Sequence, residues 1–141
     1  MKKKLIGILT ALCMVISPSF ALAADVTTKV DEDIELMYEQ VMNMSAGLNI
    51  STFGQATCSG AVSVRPGYNV KLTIELLKME NYSWKSIKSW VHTGSGVVGV
   101  NESETYWVDH GTYPTKISAY VTDSNGNYIE SPSTTSVIKE Y

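Results

Sequence analysis

Apolar and polar positions alternate strictly from Tyr113 to Val121. Tyr113, Thr115, Ile117, Ala119 and Val121 fall on one side, and Pro114, Lys116, Ser118 and Tyr120 on the other. A period of two predicts a half-buried strand. Asp123-Ser124-Asn125-Gly126-Asn127 follows, and its Asn-Gly pair suits the positive φ angles of a tight hairpin turn. The chain is therefore expected to reverse into a partner strand over Tyr128–Ser136, weakened by Pro132. The same alternation recurs upstream. Ala56, Cys58, Gly60, Val62 and Val64 share one side of a strand, and Arg65-Pro66-Gly67 is a turn with Gly able to take the positive φ of type II. Val70, Leu72, Ile74 and Leu76 share the inner side of Asn69–Met79, with Lys71, Thr73 and Glu75 facing out. Glu80-Asn81-Tyr82-Ser83 turns that strand back into Trp84–His92. Thr93–Gly96 reads as a loop, and Val97–Val100 and Ser103–Val108 as two short strands.

Only the stretch before residue 47 is ambiguous. Ile34, Met37, Val41 and Met44 recur at helical spacing, and Met, Leu and Glu favour helix. Yet Val41–Met44 also alternates and runs straight into Leu48–Ser51, so a strand is expected there. Strands every ten or so residues, with turn residues between them, predict an all-β fold: an antiparallel two-sheet sandwich of about seven strands. Two details point to an immunoglobulin- or fibronectin-III-like version. Val108 followed by Gly111-Thr112-Tyr113 has the pattern of a tyrosine corner, in which a Tyr opening a strand bonds the backbone just upstream. Cys58 occupies an inward position of the second strong strand, as the first cysteine of an antibody domain does, while the opposing strand offers Ile117 and Ala119 and no second thiol.

The first residues carry a different pattern. Lys2-Lys3-Lys4 precedes an apolar run from Leu5 to Phe20, and Ala21-Leu22-Ala23 supplies small residues for cleavage. This predicts a secretory signal over 1–23 rather than a membrane anchor. Cys13 is not expected to carry lipid, because Leu12 stands where a small residue is required. An acidic, flexible leader over 24–36 and one β-sandwich domain over 37–141 follow. The 141-residue chain has net charge −3, with 11 basic and 14 acidic residues. Loss of the three signal lysines leaves eight against fourteen. The acid concentrates at Asp25, Asp31, Glu32, Asp33, Glu35 and Glu39, and no basic patch answers it, so nucleic-acid binding is not expected. Cys58 alone would survive maturation, which excludes an internal disulfide. The expected address is secreted and extracellular, with no stable membrane anchor.

Ala56-Thr57-Cys58-Ser59-Gly60, Lys71-Leu72-Thr73-Ile74-Glu75-Leu76, Ser83-Trp84-Lys85-Ser86-Ile87-Lys88-Ser89-Trp90 and Gly111-Thr112-Tyr113 resemble a family of small secreted proteins of Gram-positive gut bacteria. The resemblance covers about Tyr38 to Val121. That family is a domain of unknown function, so the resemblance implies a secreted β-domain, a strand over Tyr38–Ile50, and no activity or catalytic residues. Pro114 departs from it, standing where the family usually has a basic residue, which bears on pairing at the start of that strand.

Catalytic chemistry has few candidates. Cys58 lies mid-strand on an apolar side, without a helix N-terminus or cation to activate it, and is expected to be structural. His92 and His110 belong to no metal-ligand spacing, so no metal or other cofactor is expected. Glu102 and Glu104 point the same way on one strand, but glycoside hydrolysis needs two acids across a cleft. Asp123–Asn127 resembles the start of a calcium loop, but its Gly is in the fourth place and no Glu stands in the twelfth.

One constellation points to binding. Trp84, Ser86, Lys88 and Trp90 alternate with Lys85, Ile87, Ser89 and Val91. If Ile87 and Val91 face in, both tryptophans face out, and Glu75 and Tyr120 look out of the same sheet. Trp84, Trp90, Tyr120, Glu75 and Lys88 would then form an aromatic platform able to stack a sugar or a partner's side chain. The competing arrangement is a bulge that resets the phase and places one Trp in the core. The expected function is a non-catalytic binding module for an extracellular glycan, surface polymer or protein. The alternatives are a structural or self-assembling module, acting as a homo-oligomer, and a small secreted hydrolase.

Overall fold

The computed structural model describes residues 38–141. The expected signal, the acidic leader over 24–36 and the ambiguous positions Ile34 and Met37 lie outside the described residues. Within them the fold is all β and antiparallel, in ten elements. They are β1 (Val41–Ile50), β2 (Gln55–Val64), β3 (Asn69–Glu80), β4 (Ser83–Ser95) and β5 (Val100–Trp107). β6 (Thr112–Tyr113), β7 (Thr115–Thr122), β8 (Tyr128–Glu130), β9 (Ser133–Thr135) and β10 (Lys139–Glu140) complete the chain. One sheet has the order β1-β2-β5. The other has the order β4-β3-β7-β8, with β9 also on β7, and β10 pairs with β6.

The alternation translates directly into burial. Ala56, Cys58, Val62 and Val64 of β2 pack against Val70, Leu72, Ile74 and Leu76 of β3 and Ile117, Ala119 and Val121 of β7. Leu48, Val100 and Tyr113 complete the core. Burying an aliphatic side chain contributes on the order of 1.5–3 kcal/mol, so these three strands dominate the stability. Gly60 lies at the centre, where a Cβ would stand 2.9 Å from Ile117 and 3.0 Å from Ile74. Glycine there lets the two sheets approach.

The turns follow their residues. Gly67 takes φ 88°, as the type II reading of Arg65-Pro66-Gly67 requires. Residues 41–50 are strand, as expected, and the register β1–β2 runs from Val41 opposite Val64 to Ile50 opposite Ala56. Three expectations need correction. Val97 and Val98 are exposed turn residues, and β5 is one continuous strand rather than two. The turn between β4 and β5 is tighter than the expected loop: Ser95 bridges Gly99, and β4 continues to Ser95. The Asp123–Asn127 turn is not a two-residue hairpin; only Gly126 has positive φ, and the Asp123 carboxylate accepts the backbone N–H groups of Asn125 and Asn127, each at 2.9 Å.

Proline acts at both predicted places. Pro132 divides Tyr128–Ser136 into β8 and β9, and its carbonyl accepts the N–H of Ala119 at 2.9 Å. Pro114 interrupts the ladder between β6 and β7, and its carbonyl accepts the N–H of Leu77 at 3.0 Å. The two sides of the molecule close differently. On one, a Glu130 carboxylate oxygen accepts the N–H groups of Gln40 and Val41, each at 2.9 Å. On the other, β4 and β5 leave their shared turn and splay, one into each sheet.

Candidate functional site

The outer face of the second sheet carries the site. Register places Glu75 of β3 opposite Lys116 of β7, and on β4 it places Ser86 opposite Leu77 and Trp84 opposite Met79. Pro114 and the segment Thr135, Ser136 and Ile138 close the far side. Together they line an open groove of about 890 Å³. Its size falls in the range of small-molecule sites. Trp84 is 40% exposed on the groove wall, a flat apolar surface beside hydroxyls and one charge of each sign. Such a lining can stack a ring and hydrogen-bond its substituents.

Of the two arrangements open to β4, the bulge is the one present, and Trp84 and Trp90 do not share a face. Leu76 lies opposite Lys88 but Leu77 opposite Ser86, so Ile87 is an extra residue in β4. This bulge resets the phase between the two tryptophans. Trp90 then faces Ile74 and packs on the core together with Ile87, while Val91 turns outward and is 57% exposed. The physical reason is burial: uninterrupted alternation would have put Trp90 in solvent whenever Ile87 was inside. Lys88 follows Trp90 to the inner side of this edge strand, opposite Leu76, with its Nζ 6.0 Å from the indole ring.

Of the five residues of the expected platform, Glu75 and Trp84 line the groove. Tyr120 stands on the same face but farther along, with Lys71 Nζ 5.3 Å above its ring and Tyr128 tilted against it at 5.1 Å. A smaller hollow of about 460 Å³ lies there, lined by Asn69, Lys71, Thr93 and Tyr120 among others. Trp90 and Lys88 belong to neither. Sequence reasoning missed Lys116, Leu77, Ser136 and Ile138. Lys116 and Leu77 were recoverable from the alternation and the expected strand order. Ser136 and Ile138 were hidden, since nothing in Pro132–Tyr141 signals that this segment folds back over β7.

The other candidates separate. Cys58 is fully buried, and burial pushes its thiol pKa up, with a smaller downward pull from the Thr115 hydroxyl. That hydroxyl is itself buried and makes no well-aligned hydrogen bond. His92 Nε2 lies 2.9 Å from Glu104 Oε1, although the pair is out of line for a hydrogen bond. It links the splayed strands β4 and β5. His110 stacks on Tyr141 at 4.6 Å between ring centroids. Trp107 and Phe53, which the sequence reading did not single out, are largely exposed at one end of the first sheet. No protein-family model matches the chain, and no curated protein matches it.

Proposed function

We propose that the protein is a secreted, non-catalytic binding module with an immunoglobulin- or fibronectin-III-like sandwich. It takes an extracellular carbohydrate, surface polymer or protein on the outer face of its second sheet. The observation that carries this reading is the groove in which Trp84 stands beside Glu75, Lys116 and Ser136. Exposed indole on a sheet face is an anchor of the kind that dominates binding energy. The hydrogen bond from the Tyr113 hydroxyl to the Asp109 carbonyl, at 2.6 Å, supports the immunoglobulin-like assignment. The lysine-led apolar run before Ala24 supports secretion. A thiol that burial makes a poor nucleophile supports a non-catalytic role.

A glycan array probed with residues 24–141 tests the reading, with Trp84→Ala as the control. Binding that survives Trp84→Ala places the site elsewhere. A self-assembling module is the second reading. It is favoured by β4 and β5, long strands that are both sheet edges. Sedimentation of the same protein over a range of concentrations distinguishes it.

A further inference from the structure

The turn between β3 and β4 holds a residue that the local backbone disfavours. Glu80 pairs with Ser83, leaving a two-residue connection of Asn81 and Tyr82. Both have positive φ, 49° and 64°. Such a turn is ordinarily Asn-Gly, because its second residue tolerates a side chain poorly. Asn81 fits. Tyr82 does not, and no burial compensates it, since its side chain is fully exposed. Held left-handed without packing, a large aromatic residue marks a constraint other than folding.

Its place suggests what the constraint is. Ser86 and Trp84 line the groove, and Tyr82 stands two residues before Trp84, at the tip of the same hairpin. Two residues of backbone span at most about 7 Å, so the two aromatic positions are neighbours. Each can meet its own ring of a long ligand. The charged residues lining the groove, Glu75 and Lys116, are of opposite sign and lie opposite each other in the ladder. The lining therefore carries no net charge to select an ionic ligand, while Ser86, Thr135 and Ser136 offer hydroxyls.

We propose that Tyr82 is a second stacking subsite of the groove, retained at a cost to the hairpin. The groove's ligand is then a neutral, ring-built polymer: an oligosaccharide long enough to reach from Lys116 past Trp84 to the tip. This rests on the reading of the groove as a binding site.

The experiment compares wild type, Trp84→Ala, Tyr82→Gly and Tyr82→Phe. The probes are cellohexaose, chitohexaose and maltohexaose, with the corresponding disaccharides, and thermal unfolding is followed alongside. Tyr82→Gly should raise the melting temperature, by about 4 °C, because glycine relieves the left-handed strain. It should weaken binding of the bound hexasaccharide roughly three- to tenfold. Its effect on the disaccharide should be negligible, and Tyr82→Phe should bind like wild type. If wild type binds none of these saccharides, the assignment of a neutral glycan to the groove is wrong. If binding depends on Trp84 while Tyr82→Gly binds the hexasaccharide as wild type does, the groove stands and the Tyr82 subsite is overturned. A Tyr82→Gly protein that is less stable than wild type also overturns it, since the residue would then serve the fold.

Discussion

The hydroxyl of Tyr113 donates to the backbone carbonyl of Asp109 at 2.6 Å. Tyr113 is buried, and burial is the main reason its phenol pKa is raised. The bond fixes the turn that leads into β6 and so the start of β7. Tyr113→Phe should lower stability by about 1 kcal/mol, the usual worth of one such bond. It should leave binding at the Trp84 groove unchanged. A urea midpoint equal to that of wild type would show that the bond contributes nothing.

Glu130 ties the two sheets together on one side by accepting the N–H groups of Gln40 and Val41. Glu130→Ala should cost about 1.5–3 kcal/mol, as for hydrogen bonds to a charged group. It should also speed hydrogen exchange at the Val41 end of β1. Unaltered exchange there would mean that β1 is held by β2 alone.

Cys58 should react slowly with thiol reagents in native protein and promptly in denaturant, because it is buried and its pKa is raised. Cys58→Ser should destabilise by roughly 1–3 kcal/mol, since it adds a hydroxyl to a wall where the Thr115 hydroxyl already has no aligned partner. Fast stoichiometric labelling of the native protein would contradict the core placement.

The two strand-β4 tryptophans should respond in opposite ways. Trp90→Ala removes packing against the core and should cost about 2–3 kcal/mol, somewhat below the value for a fully buried Trp. Trp84→Ala should leave the melting temperature nearly unchanged and abolish binding at the groove. Equal losses of stability from the two changes would refute the phase reset at Ile87.

The Asp123 carboxylate is held below its ordinary range, chiefly by the backbone N–H of Asn127, with the Asn127 side chain and the Asn125 backbone adding to it. A depressed folded pKa stabilises the turn above the unfolded value, and that contribution disappears as pH falls through the folded one. The amide resonances of Asn125 and Asn127 should therefore titrate with a midpoint below the usual aspartate value of about 3.9. A midpoint at or above that value would remove the carboxylate from the turn.

Much of the fold was legible because alternation and burial are the same fact in a half-buried strand. Ala56–Val64, Asn69–Met79 and Thr115–Val121 each present one apolar side, and each is a core strand. β4 was legible only in outline. Its bulge cannot be read from Trp84–Val91 alone, because both phases bury some apolar residue and neither buries all. Which phase prevails depends on Leu76 and Leu77 across the ladder, a tertiary fact. The groove was half legible for the same reason: Glu75 and Trp84 follow from strand order, whereas Ser136 and Ile138 depend on how the chain returns after Pro132.

The turn joining β4 to β5 bears on how cooperatively the fold comes apart. A Cβ at Gly94 would collide with the Gly99 carbonyl, and one at Gly99 with the Val62 carbonyl, so this junction closes with backbone against backbone. Because β4 goes to one sheet and β5 to the other, a few residues fasten both sheets to each other at that corner. Pairing of either edge strand therefore holds the other close to its own sheet. The junction thus couples the two layers, and unfolding should proceed as a single concerted event, with the same midpoint whether followed by tryptophan fluorescence or by backbone circular dichroism.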